Sequence, residues 1–250
     1  MNRYFFSMLL LTACVWANAQ QTTPAPEVTD PQARVVVPGK FPCDKPVPPP
    51  SDAIILFDGT DLSKWESVNG GDGMWPIAEG MVTVEKRLGN IRTKQHFRDF
   101  QLHIEWRSPV NVEGTSQSRG NSGIFLQGIY EIQVLDSYQN PTNYAGSAGS
   151  IYHRAAPLVN VTNPPGEWNV YDIIYTAPTF REDGSFRTHP YVTVIHNGVV
   201  IQNNTRINER RNNEGIPSYR EHGDGPIILQ AHRDRTTTEV SYRNIWIREL

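Results

Sequence analysis

From Phe100 to Arg107 apolar and polar residues alternate strictly, with Phe100, Leu102, Ile104 and Trp106 interleaved with Gln101, His103, Glu105 and Arg107. Successive side chains of a β-strand point to opposite faces, so one face of this segment is buried and the other is polar. Alternating or short apolar runs recur at Ala53 to Phe57, Met81 to Glu85, Gly123 to Leu135, Val170 to Tyr175, Tyr191 to His196, Val199 to Gln202, Ile227 to Ala231 and Val240 to Arg248. No segment carries a convincing helical period. Asn197-Gly198 separates two of the runs and is the dipeptide favoured where both turn residues take positive φ, which predicts a hairpin. Many strands divided by turn residues predict an all-β sandwich of two stacked antiparallel sheets.

The first fifty residues have another character. Arg3, the apolar run Tyr4 to Trp16 and then Ala17-Asn18-Ala19 fit a secretory signal peptide over residues 1–19, too short to span a bilayer. Leu11-Thr12-Ala13-Cys14 offers a competing lipoprotein cleavage box that would leave Cys14 as a lipid-bearing N-terminus on an outer-membrane protein. On either reading the mature protein leaves the cytoplasm, secreted or periplasmic, without a transmembrane segment. Residues 20–52 hold nine prolines and read as an extended linker without a core. With Cys14 removed, Cys43 stands alone, so no internal disulfide is available and the fold must rest on burial. Residues 53–250 suffice for one β-sandwich domain. The 23 basic and 26 acidic residues leave a formal charge of −3, without the basic footprint of a nucleic-acid partner. The sequence identifies no protein partner.

Chemistry concentrates in Tyr130-Glu131-Ile132-Gln133-Val134-Leu135-Asp136-Ser137. Glu131 and Gln133 share a face. Asp136 has the opposite parity unless a bulge between Gln133 and Asp136 turns it round. Two carboxyl groups flanking an amide could then work on opposite sides of a glycosidic bond. His196 precedes the hairpin turn, while Gln230 and His232 share one face of another strand; an imidazole exchanges protons near neutrality. Glu131, Asp136, His196 and His232 could together hold a divalent cation, although no tight ligand spacing demands a metal cofactor. Tyr152 and Trp168, beside loops, offer flat faces to a pyranose, and Arg119 and Asn121 offer polar contacts to a carbohydrate. The loops Asn111 to Asn121, Tyr138 to Gly166 and Asn203 to Gly225 are where binding groups would sit; the last carries Arg206, Arg210, Arg211 and Arg220.

The spacing Glu-x-Gln-x-x-Asp resembles the Glu-x-Asp-x-x-Glu signature of bulged-strand glycoside hydrolases, with two of the three acidic positions changed. More broadly, Leu56-Phe57-Asp58-Gly59, Leu62-Ser63-Lys64-Trp65, Asn121 to Leu126, Tyr130 to Ser137, Gly166-Glu167-Trp168-Asn169, His196-Asn197-Gly198-Val199 and Tyr242 to Ile247 resemble the 3-keto-disaccharide hydrolase domain family. The resemblance runs from about Ile54 to Leu250. It implies a concanavalin A-like (jelly-roll) sandwich and cleavage of glycosides already oxidised at C3. A ketone there acidifies the C2 proton, so a base can abstract it and expel the C1 substituent, with water adding afterwards. On that chemistry Glu131 is expected as base, Asp136 as second acid/base and Gln133 as donor to a sugar oxygen; His196 and His232 fall in motif segments of the family. A noncatalytic lectin-like module and an ordinary glycoside hydrolase acting on unoxidised sugars are the competing readings.

Overall fold

The computed structural model describes residues 32, 34–38, 45–208, 221–233 and 239–250. Residues 1–19, expected as a signal peptide, with Cys14, as well as Cys43, Arg210, Arg211 and Arg220, lie outside the described residues. In chain order the strands are β1 (Ile54–Phe57), β2 (Trp65–Ser67), β3 (Ile77–Ala78), β4 (Met81–Thr83), β5 (Ile91–Thr93), β6 (Phe100–Arg107), β7 (Ser122–Leu126) and β8 (Tyr130–Val134). They continue with β9 (Asn169–Thr176), β10 (Thr179–Phe180), β11 (Phe186–Thr188), β12 (Tyr191–His196), β13 (Val199–Arg206), β14 (Ile228–Leu229) and β15 (Ser241–Glu249). The larger sheet runs β13-β12-β9-β6-β15-β4-β3, with β1 also on β15; the smaller runs β2-β5-β14-β7-β8; β10 and β11 form a separate ribbon. Two stacked antiparallel sheets make the concanavalin-like sandwich that the alternation predicts.

The core lies between the sheets. Leu102, Ile104 and Trp106 of β6 face Ile124, Leu126, Tyr130, Ile132 and Val134 of the β7–β8 hairpin, all without solvent exposure. Each large apolar side chain so enclosed stabilises the fold by about 1.5–3 kcal/mol. Three tyrosines tie the larger sheet to the hairpin. Tyr171 Oη donates to Gln133 O at 3.0 Å, Tyr175 Oη to Gln127 Oε1 at 2.8 Å and Tyr242 Oη to Ser122 Oγ at 2.6 Å. The hairpin is thereby held at both ends.

Two expectations change. Gly123 to Leu135 is not one strand but β7 and β8, joined at Gln127 (φ 51°) and Gly128 (φ 71°). Glutamine is a poor signal for a positive-φ turn, yet its buried amide is gripped by Tyr175 Oη and donates to Phe97 O, so tertiary bonds hold what local propensity does not. The proline-rich segment, expected to stand free, is docked at two stations. Val36 N donates to Asn160 O at 2.9 Å and Asn160 N to Arg34 O at 2.8 Å. Val47 bonds through its N to Glu105 Oε1 and through its O to Asn244 Nδ2.

Candidate active site

The β7–β8 register pairs Ser122 with Val134, Gly123 with Gln133, Ile124 with Ile132 and Phe125 with Glu131. Since Ile124, Ile132 and Val134 fill the core, Gly123, Phe125, Glu131 and Gln133 face outward from the smaller sheet. β14 extends that face on one side, with Gln230 N donating to Gly123 O at 3.0 Å. Ala231 belongs to the core, so Gln230 and His232 alternate outward. On the other side Gly149 to Tyr152 lies along β8 as an extra edge: Gln133 N donates to Ser150 O and Tyr152 N to Glu131 O, both at 3.0 Å. Asn121 precedes β7 with the parity of Gly123. The outward face thus gathers Glu131, Gln133, Asn121, Gln230, His232, Ser150 and Tyr152 around a residue without a side chain.

That glycine makes room for the carboxyl group. A Cβ at position 123 would fall 2.5 Å from Glu131 Oε1 and 3.2 Å from its Cδ and Cγ, so the side chain folds diagonally over the neighbouring strand. The Glu131 carboxyl accepts no hydrogen bond from any described residue. Burial therefore lifts it to about 7, with the Arg154 charge pulling the other way. The amides beside it are fixed from their nitrogen ends. Gln133 Nε2 donates to Gln117 Oε1 at 3.0 Å and Gly146 O at 3.3 Å, while Asn121 Nδ2 donates to Gln117 O at 2.7 Å. Gln133 Oε1, Asn121 Oδ1, Gln230 Oε1 and Ser150 Oγ are buried without a hydrogen-bond partner among the described residues. An acceptor left so costs about 1–3 kcal/mol, and four on one face mark a place shaped for donors from outside the chain.

The remaining predicted residues stand elsewhere. No bulge turns Asp136 onto the Glu131 face: β7 and β8 pair without a register shift, and Asp136 N continues the ladder to Arg119 O and Gly120 O, both at 3.2 Å. A Cβ at Gly120 would touch Ser108 Cβ and Asp136 Cβ, so Asp136 points between the sheets at their edge. It binds Arg119 Nε at 2.8 Å and accepts from Tyr138 N. Burial raises its carboxyl pKa despite Arg119. Arg119 is spent on that pair and on Tyr138 O. His196 lies wholly inside the core, against Trp106 and Tyr171, with Nε2 on Asn169 Oδ1 at 3.0 Å; burial pushes it down to about 3, and it does not reach the outward face. Trp168 is on the far side of the sandwich, its ring covered by Arg107 and Arg243, whose guanidinium carbons stand 4.8 and 4.1 Å from its centroid. That ring is no sugar platform. Tyr152 keeps its place beside Glu131, its ring edge-on to His153 at 4.2 Å.

The set Glu131, Asp136, His196 and His232 is therefore not gathered, and among the described residues no three His, Cys, Asp or Glu side chains converge as a metal site. Reading the sequence alone misses Gln117 and Ser150. Gln117 sits in a short 3-10 turn, Ser116–Ser118, where nothing local distinguishes it. Ser150 becomes visible only once its loop is known to pair with β8.

A concanavalin-like sandwich with a desolvated carboxyl among fixed amides on one open face is the class of protein that fold and site define. A family model, the 3-keto-alpha-glucoside-1,2-lyase-like domain, matches residues 52–248, and the chain belongs to that family. A crystal structure from Parabacteroides distasonis, provisionally described as a glycosyl hydrolase, is 59% identical, with 90% of this chain and 95% of that chain aligned and a TM-score of 0.79. Two further structures from the same organism, with the same description, share the fold at 22% and 24% identity and TM-scores of 0.56 and 0.53. They cover 79% of this chain in both cases, and 94% and 99% of their own. No curated protein matches the chain.

Proposed function

We propose that the protein is a glycoside-cleaving enzyme that acts on 3-keto-glycosides by elimination across C1–C2, followed by hydration. The observation that carries this reading is Glu131: a carboxyl that accepts no hydrogen bond from any described residue, laid over Gly123 and pushed by burial up to about 7. A base so tuned exchanges protons efficiently near neutrality. As carboxylate it takes the C2 proton, and the C2–H electrons pass into the enolate of the C3 ketone. Collapse of the enolate re-forms the ketone, makes the C1=C2 bond and releases the C1 oxygen substituent, to which the proton held on Glu131 returns. Water then adds across C1=C2. One carboxyl suffices, which accords with the inward turn of Asp136. His232 is a further proton carrier on the same face.

The acceptors Gln133 Oε1, Asn121 Oδ1 and Gln230 Oε1 suit the hydroxyl groups of a sugar, and Arg154 supplies a positive charge near the developing enolate. Gln133 Nε2 is engaged within the protein, so Gln133 accepts from the sugar instead of donating to it. The family description, the glycosyl hydrolase relative and the signal-like residues 1–19 together support an extracytoplasmic carbohydrate enzyme. Matched glycosides with and without a 3-keto group, incubated with the protein and with Glu131→Gln, test it. Release from the oxidised member alone, lost in the variant, is expected. Release from both, or binding without release, would replace it by an ordinary hydrolase or a lectin.

A further inference from the structure

The Gln133 and Asn121 amides do not orient themselves. Both are held by Gln117, one through its side-chain oxygen and one through its backbone oxygen. Gln117 Nε2 in turn donates to Thr142 Oγ1 at 2.9 Å and Gly146 O at 2.8 Å. Thr142 is then gripped from outside the sandwich. Its O accepts from Gln32 Nε2 at 2.8 Å, and its N donates to Gln32 Oε1 at 3.1 Å. This paired clasp lies 110 residues away in sequence and closes beside the Arg34–Val36 pairing with Asn160. An amide that meets a backbone N–H and C=O together fixes both distance and direction, as an added strand would. An unbroken series of hydrogen bonds thus leads from the proline-rich segment to the outward face: Gln32, Thr142, Gln117, Gln133.

We infer that the N-terminal segment at Gln32 is a positioning element of the active site, clasping Thr142 so that Gln117 holds the Gln133 and Asn121 amides with their oxygens toward the sugar. This rests on the assignment of those amides to the sugar site. Gln32 and Gln117 are positioning residues and touch no reacting atom. Without the clasp, Thr142 keeps its Oγ1 contacts to Ser116 Oγ and Gln117 Nε2 but loses both backbone bonds to Gln32, so the partner that fixes Gln117 is held less firmly while the sandwich core is untouched.

The test takes the full chain as Gln32→Ala, Gln32→Glu, Gln117→Met and Gln32→Ala with Gln117→Met, assayed on 4-nitrophenyl 3-keto-α-glucoside. One weakened neutral hydrogen bond is worth about 3- to 10-fold, so Gln32→Ala should raise KM by about 3-fold and Gln117→Met by about 10-fold. A change confined to binding leaves kcat within about twofold. Gln32→Glu, which keeps the acceptor for Thr142 N, should fall between the native chain and Gln32→Ala. The double variant should be no worse than Gln117→Met, because both act through one series. An unchanged KM in Gln32→Ala beside a raised one in Gln117→Met, or effects that multiply, overturns the inference. A second readout needs no substrate and stands even if 3-keto-glycosides are not cleaved. The side-chain NH2 resonances of Gln133 should shift in Gln32→Ala while those of Gln95, bonded to Glu249 elsewhere, stay in place; an unmoved Gln133 signal refutes it.

Discussion

Gly123→Ala puts the central claim at risk with a single methyl group. The new Cβ would stand 2.5 Å from Glu131 Oε1, where ordinary contact begins near 3.4 Å, so the carboxyl must retreat by about 1 Å. The backbone has no need of glycine here, since the strand φ at 123 is not positive and the atoms met belong to the far end of a flexible side chain. Glycine to alanine at a compatible φ reduces the entropy of the unfolded chain and is worth about 0.4–1 kcal/mol, which offsets the cost of moving the carboxyl. The melting temperature should barely change. Catalysis should not be spared, because about 1 Å of misplacement costs on the order of 100-fold in rate.

The pH profile separates displacement from damage. In the native chain Glu131 must be ionised to act, so kcat should rise with pH through about 7. Pushed outward, the carboxylate regains water, and the same limb should move toward the ordinary glutamate range. Steady-state assays of Gly123→Ala from pH 4 to 9, with thermal melts and with the Glu131→Gln background, supply the comparison. Adding Gly123→Ala to Glu131→Gln should cost nothing more. Native kcat/KM with an unmoved limb in Gly123→Ala would refute the role of Glu131, as would equal losses in both backgrounds.

Glu131→Gln should also stabilise the protein at pH 8 and not at pH 4. A carboxyl whose folded pKa is raised destabilises the fold as pH climbs from the unfolded value through about 7, and the amide removes that burden; equal melting shifts at both pH values would contradict it. Asp136→Asn should change kcat/KM far less than Glu131→Gln does; the reverse ranking would return Asp136 to the chemistry. Burial alone would lower the His103 pKa, but the Asp172 and Glu105 carboxylates outweigh it and raise the value. Its stabilising contribution is therefore complete below the unfolded histidine pKa and lost as pH rises through the folded one. Urea midpoints that do not fall over that interval in the native chain relative to His103→Gln would refute the pairing.

Period-two alternation located β6 and β12 end to end, because each is paired on both sides in the larger sheet and has one face in the core. It failed where a tertiary bond replaced a local signal, as at Gln127, whose amide holds a turn that the residue type does not advertise. Parity likewise placed Glu131 with Gln133 and Gln230 with His232, since alternation is a property of the backbone. Asp136 was not legible, because a bulge is one extra residue and the same sequence is consistent with its presence or absence. His196 and Trp168 were misplaced for a related reason: a motif fixes where a residue falls along a strand, not which sheet face it crowds.

The far side of the sandwich shows why burial alone could not have found the site. Glu105 is almost wholly buried, and it lies among His103, Asp172 and Arg243, a richer set of ionisable groups than surrounds Glu131. Yet every direction around its carboxylate is answered. Arg243 Nε donates at 2.6 Å, Asn244 Nδ2 at 2.8 Å and Val47 N at 3.2 Å, with His103 Nε2 at 3.5 Å. Asn244 takes φ 47° at a bulge in β15, which turns its amide inward so that one hydrogen reaches Glu105 and the other Val47 O. The result is a carboxyl held below the ordinary range, a permanent anion with no proton to exchange. Glu131 has no such donors among the described residues, so burial is left unopposed except by the Arg154 charge and carries it to about 7, where proton transfer becomes useful. Supplying a donor should abolish the difference. Phe125 stands directly opposite Glu131, so Phe125→Arg should pair with the carboxyl, lower the acid limb of kcat below pH 6 and weaken the base; a limb still near 7 would show that something other than missing partners sets it.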